Sequence, residues 1–535
     1  DYNRDISNLI DNVAQNYIYD NSLYLREPQY KLIMQTKGIY MEEDTGENGL
    51  LLKEVDDMLF HNNPGLAALR EYLSNRRTRI LVVRDGQQGG RMVAAGAYRS
   101  IHRTDLYNEF KDLEITAYLR EKASGKIAVI SCLYFLEDTE IRDLPQLLLT
   151  EVLAACLRDD YTYAVYHRRQ SGPLNGKVQE VLERQGFIKA PSAGDMNIYA
   201  VDMKAPISLL QNMETTIKDP LNRNKRVLAV MDRAHRNLQM ALTDLYPGNL
   251  VISFNAGVMH HKIVKMVTME NQVPAEPTPE HHLGPYMCVP FGKILRGAAA
   301  PNTVTKTLHT DKVFQPDIKS FRIAEYPNYS PLINQIRTIK SFDRSVILVD
   351  ELLHKGYRIR ELDPLFKAEK VDIRKLVVGI LSDRGKDLMT IQKMKVDCAY
   401  FIPNLRAWIM EPSLYPFIVG DSVARKNREN VSMIPSINLI QPYVAPAFLG
   451  GADRKSVYNL SLACLENARE ILTVLEEEYQ VHYEKNLTLK RLGEVVISSR
   501  SPDQGDCLYY DLNLAPSVYV ANDIEKLKRL RNSLV

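Results

Sequence analysis

Residues 346–358 read VILVDELLHKGYR. Four apolar residues run into two adjacent carboxylates, Asp350 and Glu351, and then into a short turn at Gly356. A buried strand of this kind delivers its acids rigidly to the carboxyl edge of a sheet, where α/β proteins bind their ligands. Paired acids accept hydrogen bonds from hydroxyls. Successive N–H groups of the following turn can form a nest for an anion, and glycine lets that backbone approach closely. Upstream, SFNAGVMHHK (253–262) reads as a strand, a tight turn at Asn255, Ala256 and Gly257, and a helix. The stretch 289–314 concentrates Lys293, Arg296, Lys306, His309 and Lys312. A separate constellation lies earlier. There the strand IAVISCLYF (127–135) leads into EDTEIRDLP (137–145), which carries Arg142 and ends at Leu144–Pro145, a start signal for a helix.

The elements that must position these groups alternate between helix and strand. Residues 66–203 give a helix (LAALREYLSN), a hairpin (RILVVRD, GQQGG, MVAAGAYRS), the strand 127–135, a helix (LPQLLLTEVLAACL), the strand YTYAVYH (161–167), a helix over NGKVQEVLERQGF and the strand NIYAVDM. After helices that end at Pro247–Gly248 come the strands LVISF (250–254), SVILVD (345–350), KLVVGILSD (375–383) and DCAYFI (397–402). Strands apolar on both faces suit a parallel sheet covered by helices. From about 455 an amphipathic spacing through Val457, Leu460, Cys464, Ala468, Ile471 and Leu475 predicts a long helix. The expected division is 1–60 as an N-terminal extension without assigned chemistry, 61–205, 206–454, and a helical region at 455–535.

Composition narrows the classes. At 535 residues the chain holds three or four domains of roughly 100–200 residues each. With 45% hydrophobic and 25% charged residues and a mean hydropathy of -0.26, it is an ordinary globular chain and not a disordered one. Lys and Arg total 68 against 66 for Asp and Glu, so nucleic acid is not an expected partner. The six cysteines are widely spaced and read as reduced thiols, no apolar run approaches the ~20 residues of a membrane span, and a cytoplasmic protein is expected. The adjacent pairs His260–His261 and His281–His282 point about 100° apart on a helix and do not suit one metal. The chain starts at Asp1, so a longer parent chain with an upstream domain, or a homodimer, stays open.

The order of elements over 66–203, with the asparagine-led helix NGKVQEVLERQGFI (175–188), resembles the GNAT family of N-acyltransferases. The resemblance implies acetyl-CoA bound in the V between strands 127–135 and 161–167. Its pyrophosphate would lie over the loop 137–145, with Arg142, Leu144 and Asn175 at the cofactor and Glu114 or Glu137 as the base. Tyr166 lies on the later strand. The loop has no glycine where the family places two, and Arg142 is the compensating charge. As surface residues, Glu114, Glu137 and Arg142 would simply be solvated charges and Tyr166 packing.

Residues 248–420 resemble the type I phosphoribosyltransferases, through VILVDELLHKGYR, SFNAG and GILSDRGKDL (379–388). The resemblance implies a doubly wound parallel sheet binding PRPP with Mg²⁺. Asp350 and Glu351 would hold the ribose and the metal. Leu352, Leu353, His354, Lys355, Gly356, Tyr357 and Arg358 would surround the 5′-phosphate, and Asn255, Ala256 and Gly257 the pyrophosphate. Lys293 and Arg296 would assist departure of the leaving group from a flap, and Asp383 and Tyr400 would meet the base. Lys355 and Arg358 stand where the family has hydroxyl residues, so either cations hold the phosphate or the loop docks elsewhere. The fold class expected is α/β, a GNAT-like mixed sheet joined to this second sheet with helical flanks. The function expected is a transferase of nucleotide metabolism, phosphoribosyl transfer coupled to acyl transfer. A non-catalytic PRPP or nucleotide sensor is the other reading.

Overall fold

The computed structural model describes residues 10–11, 13–14, 39–44, 54–55, 57, 77–86, 89–167, 176–192, 197–278, 283–292, 299–327, 329–424, 433–446, 450–497, 499–503 and 510–534. The expected helix at 66–75 lies outside them. Among the described residues the strands form three sheets.

The first sheet begins with β1 (Ile39–Asp44), β2 (Arg79–Asp85) and β3 (Arg91–Ile101), then β4 (Lys126–Phe135) after the short helices α1 (Leu106–Phe110) and α2 (Leu113–Lys122). Helix α3 (Leu144–Arg158) connects to β5 (Tyr161–His167), and α4 (Gly176–Arg184) to β6 (Ile188–Lys189) and β7 (Ile198–Gln211). The strand order is β1-β2-β3-β4-β5-β7, with β6 on β7. Within that run all pairings are antiparallel except β4 with β5. The N-terminal extension is thus not separate, because β1 adds a strand to the hairpin and Arg84 donates to Glu42 and to Glu54 across it.

The expected boundary at 205/206 falls inside β7. That strand runs on past β5 to pair in parallel with β8 (Asn249–Asn255) and β16 (Ala407–Met410), so the second half of the chain adds strands to the first sheet. Between β7 and β8 lies α5 (Lys225–Thr243), capped by the Asn224 side chain, and after β8 comes α6 (Ala256–Glu270).

The second sheet is all parallel, in the order β10-β9-β13-β14-β15: Val304–Thr305, Met287–Pro290, Val346–Leu353, Ile373–Leu381 and Val396–Phe401. One face carries α7 (Leu332–Lys340), α8 (Tyr357–Ala368) and α9 (Asp383–Gln392), packed on Val346, Leu348, Leu376 and Val378. Ile347, Val349 and Val377 point the other way, into a core shared with α3, α6 and the first sheet. The expectation of a parallel sheet covered on both faces describes this arrangement. Its neighbour relation to SFNAG does not hold, since β8 belongs to the first sheet.

Helix α3 explains why the two sheets form one body. Every residue from Gln146 to Leu157 is buried, because β3 and β4 lie on one side and β8 and β15 on the other. A tie of polar groups locks the contact: Lys262 Nζ and the Tyr400 hydroxyl donate to Glu151 at 2.7 and 2.6 Å. The helix α10 (Arg454–Tyr483), close to its expected start, packs on α5 and on α11 (Pro516–Leu534). No helix among the described residues is long and apolar enough to cross a membrane.

The third sheet had no counterpart in the sequence reading. Its order is β12-β11-β17-β18-β19: Phe321–Glu325, Thr310–Phe314, Asp421–Val423, Ile434–Ile437 and Arg500–Pro502. It is built around Arg500, which is fully buried. Arg500 donates to Asp311 Oδ2 at 2.8 Å and to Ser422 Oγ at 2.6 Å, and Ser422 donates in turn to Asp311. Removing one member of a buried ion pair strands the other charge. In urea unfolding, Arg500→Met is expected to cost roughly 3–5 kcal/mol, and the double variant Arg500→Met/Asp311→Leu to recover most of it. Additive losses in the double variant would show that the pair is not coupled.

Candidate functional site

Two places gather chemistry. The first is the carboxyl end of the parallel pair β4 and β5, where the sequence predicts an opening. Their parallel pairing stops at Ile130 opposite Tyr166, while β4 continues to Phe135. Just there β4 bulges: Ile130 faces Tyr98 and Cys132 faces Ala97, so Ser131 is the extra residue. The Ser131 hydroxyl is buried and has no hydrogen-bond partner among the described residues. β5 ends one residue later, at His167, so β4 extends beyond the end of its parallel partner. Past the opening the chain turns into α3 through Asp143, which takes a left-handed conformation (φ 47°). Asp143 does not cap α3 with its side chain. It accepts two bonds from Arg184, at 2.8 and 3.0 Å, and although burial works against its charge, Arg184 holds its carboxyl below the usual range. The first turn of α3 thus keeps its backbone donors clear of any side-chain cap.

The residues expected to serve this opening are placed differently. Arg142 is engaged by α5 and the turn before it, through Asp232 at 2.5 Å and Glu214, and so ties the loop to α5 instead of facing an anion. Leu144 is buried at the start of α3. Glu137 is exposed and paired with Lys177 at 2.9 Å; Glu114 is exposed in the first turn of α2. Tyr166 is buried in the core shared with α3. His167, which the sequence reading passed over, ends β5 beside the opening, its ring 5.2 Å from that of Phe110. Asn175 lies outside the described residues.

The second place is the carboxyl edge of the parallel sheet. Asp350 and Glu351 arrive there on β13, 3% and 2% exposed. Arg358, in the first turn of α8, donates from Nη1 to Asp350 Oδ1 at 2.6 Å and to Glu351 Oε1 at 2.7 Å. Burial pushes the Asp350 carboxyl well up. Glu351 meets the same burial but is held down to about 2 by Arg358 and by its hydrogen bonds. Burial opposes the Arg358 charge, yet the two carboxylates raise its pKa above the ordinary arginine value. From β9 side, Gly292 touches the pair so closely that a Cβ there would collide with both carboxylates.

Several expectations for this edge need correction. The turn after the acids makes no hollow: Gly356 is left-handed (φ 68°), and the side chain of Leu388 fills the space beside its Cα. Leu352 and Leu353 still belong to β13, His354 contacts Ser382 Oγ at 2.9 Å, Lys355 and Tyr357 are exposed, and Arg358 faces the acids and not a phosphate. Asn255 caps α6 through Val258 N–H, with Ala256 and Gly257 in its first turn. Tyr400 is buried against Phe254 with its hydroxyl on Glu151, so it stacks on no base, and Asp383 is exposed at the start of α9. Lys306, His309 and Lys312 sit in or beside ordered strands: Lys306 is partly buried, with its pKa lowered by burial, His309 stacks on Tyr329, and Lys312 pairs with Asp421. Lys293 and Arg296 lie outside the described residues. Asp350 and Glu351 have no third acid, His or Cys beside them to complete a metal site among the described residues.

A third polar cluster escaped the sequence reading because its members are far apart in the chain. Ser253 Oγ lies 3.0 Å from His235 Nε2, and His235 Nδ1 lies 3.0 Å from Glu411 Oε2. Tyr415 donates to the other Glu411 oxygen at 3.1 Å. With exposures of 3%, 2% and 0%, these groups satisfy one another in the core between α5, β8 and α10.

No family model and no curated protein matches the chain. Solved structures that resemble it include an Arabidopsis thaliana NAA60 with a bisubstrate analogue, at 14% identity and a TM-score of 0.23 over 30% of this chain and 95% of that one. A Drosophila melanogaster polyamine N-acetyltransferase matches at 13% identity and 0.23, over 31% and 100%. An Aedes aegypti arylalkylamine N-acetyltransferase 2 matches at 11% and 0.23, over 31% and 99%. The likeness thus covers about a third of the chain.

His260 on α6 offers a check on the buried edge. Burial pulls it down to about 4, against the opposing pull of Glu351. Its folded pKa lies below the ordinary 6.5, so its contribution is present above pH 6.5 and is lost as pH falls toward 4. The drop should reach about 3 kcal/mol, and His260→Gln should flatten that limb of the stability profile measured by chemical denaturation.

Proposed function

We propose that the chain combines an acyl-CoA-dependent N-acyltransferase module of GNAT type with a recognition module for a phosphorylated sugar or nucleotide that does not itself transfer a phosphoribosyl group. The observation that carries the first half is the parallel pair β4–β5 within an otherwise antiparallel run, ending at Ile130 and Tyr166, together with an α3 whose first turn bears no side-chain cap. An extended pantetheine can hydrogen-bond to strand edges that no longer pair with each other, and helix N–H groups suit a pyrophosphate. In such a reaction an amine attacks the thioester carbon, the carbon–sulfur bond breaks, and the amine proton leaves as the CoA thiol forms. His167, buried at the end of β5 against Phe110, is a candidate to take that proton beside the exposed Glu114 and Glu137.

For the second half, the acid pair at the sheet edge is the supporting observation. Arg358 takes the hydrogen bonds that a ribose would need and Leu388 fills the place of a phosphate nest, which weighs against transfer. Magnesium and PRPP belong to this module only as ligands to be tested.

Calorimetry of the intact chain with acetyl-CoA is expected to give a dissociation constant between about 1 μM and 1 mM. Arg142→Ala should leave it within about threefold, because that side chain serves α5. Absence of heat and of any thermal shift at millimolar acetyl-CoA would remove the acyltransferase reading.

A further inference from the structure

A serine, a histidine and a glutamate outside both sites meet at the carboxyl end of a short parallel run. Strands β8 and β16 both pair in parallel with β7, which places Ser253, Leu209 and Ile409 in one row. Glu411 follows directly after β16, and α5 brings His235 to the same row. Tyr415 donates to one Glu411 oxygen, and the other lies 3.0 Å from His235 Nδ1. A carboxylate only accepts, so Nδ1 carries the ring proton. Nε2, 3.0 Å from Ser253 Oγ, is then left to accept from the hydroxyl. Both ends of this chain of bonds are held, since Asn467 donates to the Tyr415 oxygen and Thr150 donates to the Ser253 carbonyl.

We propose that Ser253, His235 and Glu411 form a second reaction centre, gated by Arg142, that hydrolyses a small carboxylic ester or thioester. Ser253 is the nucleophile, His235 its base, and Glu411 positions the base. The Ser253 oxygen bonds to the acyl carbon as its proton passes to His235 Nε2; the bond to the alcohol or thiol then breaks and that group takes the proton. Water, deprotonated by the same nitrogen, releases the acid and restores the serine. Helix α6 begins at Ala256, just past Ser253, and supplies backbone N–H groups at this strand end for the developing oxyanion. The three side chains are buried, so a substrate needs an opening. Arg142 straps its loop to α5 through Asp232, one turn before His235, and through Leu228 O, and to the turn after β7 through Glu214. With 40% of its side chain exposed, Arg142 is a weak fastening, and its release admits the substrate. This centre stands apart from the acyltransferase and sugar-recognition readings.

The test uses the full chain and a fluorophosphonate, which transfers its phosphonyl group to an activated serine as fluoride leaves. Native wild type is expected to gain one group, mapped to Ser253 by peptide mass spectrometry, whereas chain unfolded in urea stays unlabelled. Arg142→Ala should be labelled about fivefold faster, and His235→Gln about 100-fold slower. Release of nitrophenol from 4-nitrophenyl acetate or of thiol from acetyl-CoA distinguishes an ester from a thioester substrate. Should His235→Gln be recovered only unfolded, the position of the adduct and the Arg142→Ala rate decide the matter, as neither needs a change in the core. No adduct at Ser253 in folded wild type and Arg142→Ala, or an unchanged rate in folded His235→Gln, would overturn the proposal. Labelling at Ser253 without turnover of either substrate would overturn the hydrolysis.

Discussion

The structure depends on one helix that is apolar nearly all the way round. A helix packed against a single sheet needs an apolar stripe and keeps a wet face. From Gln146 to Leu157, α3 has no wet face, so it requires cover on both sides. Strands β3 and β4 of the first sheet supply one side; β8 of the same sheet, α6 and β15 of the second sheet supply the other. Each fully buried aliphatic side chain contributes on the order of 1.5–3 kcal/mol, enough over this helix to hold two sheets together without a large polar interface. The Glu151, Lys262 and Tyr400 contact then sets orientation where apolar packing alone would leave it degenerate.

That shared helix also links the two candidate sites. Its first turn lies at the opening between β4 and β5, and its middle touches the parallel sheet. The helix contacts strands of both sheets, β2, β3, β4, β5 and β8 in the first and β15 in the second. The long β7 has the same effect on the backbone, pairing with β5 in its first half and with β8 and β16 in its second. A division of the chain near residue 205 would cut through one hydrogen-bonded strand.

At both sites the protein's own charges answer those that a ligand would bring. Arg184 holds Asp143, Glu214 and Asp232 hold Arg142, and Arg358 holds Asp350 and Glu351. The consequences differ. The first two pairs leave the start of α3 without a side-chain cap, while the third occupies both acids of the strand end. This contrast is why acyl transfer and sugar recognition are separate statements about one molecule.

Periodicity and residue type were enough to read β13, β14 and β15 of the parallel sheet, though not the short β9 and β10, and also the hairpin, α3 and α10, because apolar spacing reports burial locally. The acid pair at the end of β13 was legible too, since an apolar run ending in carboxylates implies a sheet edge. What those acids touch was not, because Arg358 is only seven residues from Glu351 and its direction depends on where α8 lies. The third sheet left no pattern, as its strands are short and its centre is an arginine, a residue that composition assigns to the surface until Asp311 and Ser422 arrive from over 75 residues away. The sequence by itself determined the long apolar strands and helices and which strand end carries the acids. Tertiary structure alone decided which charges meet, because a buried ion is tolerated only beside its partner, and that partner is chosen by packing and not by distance along the chain.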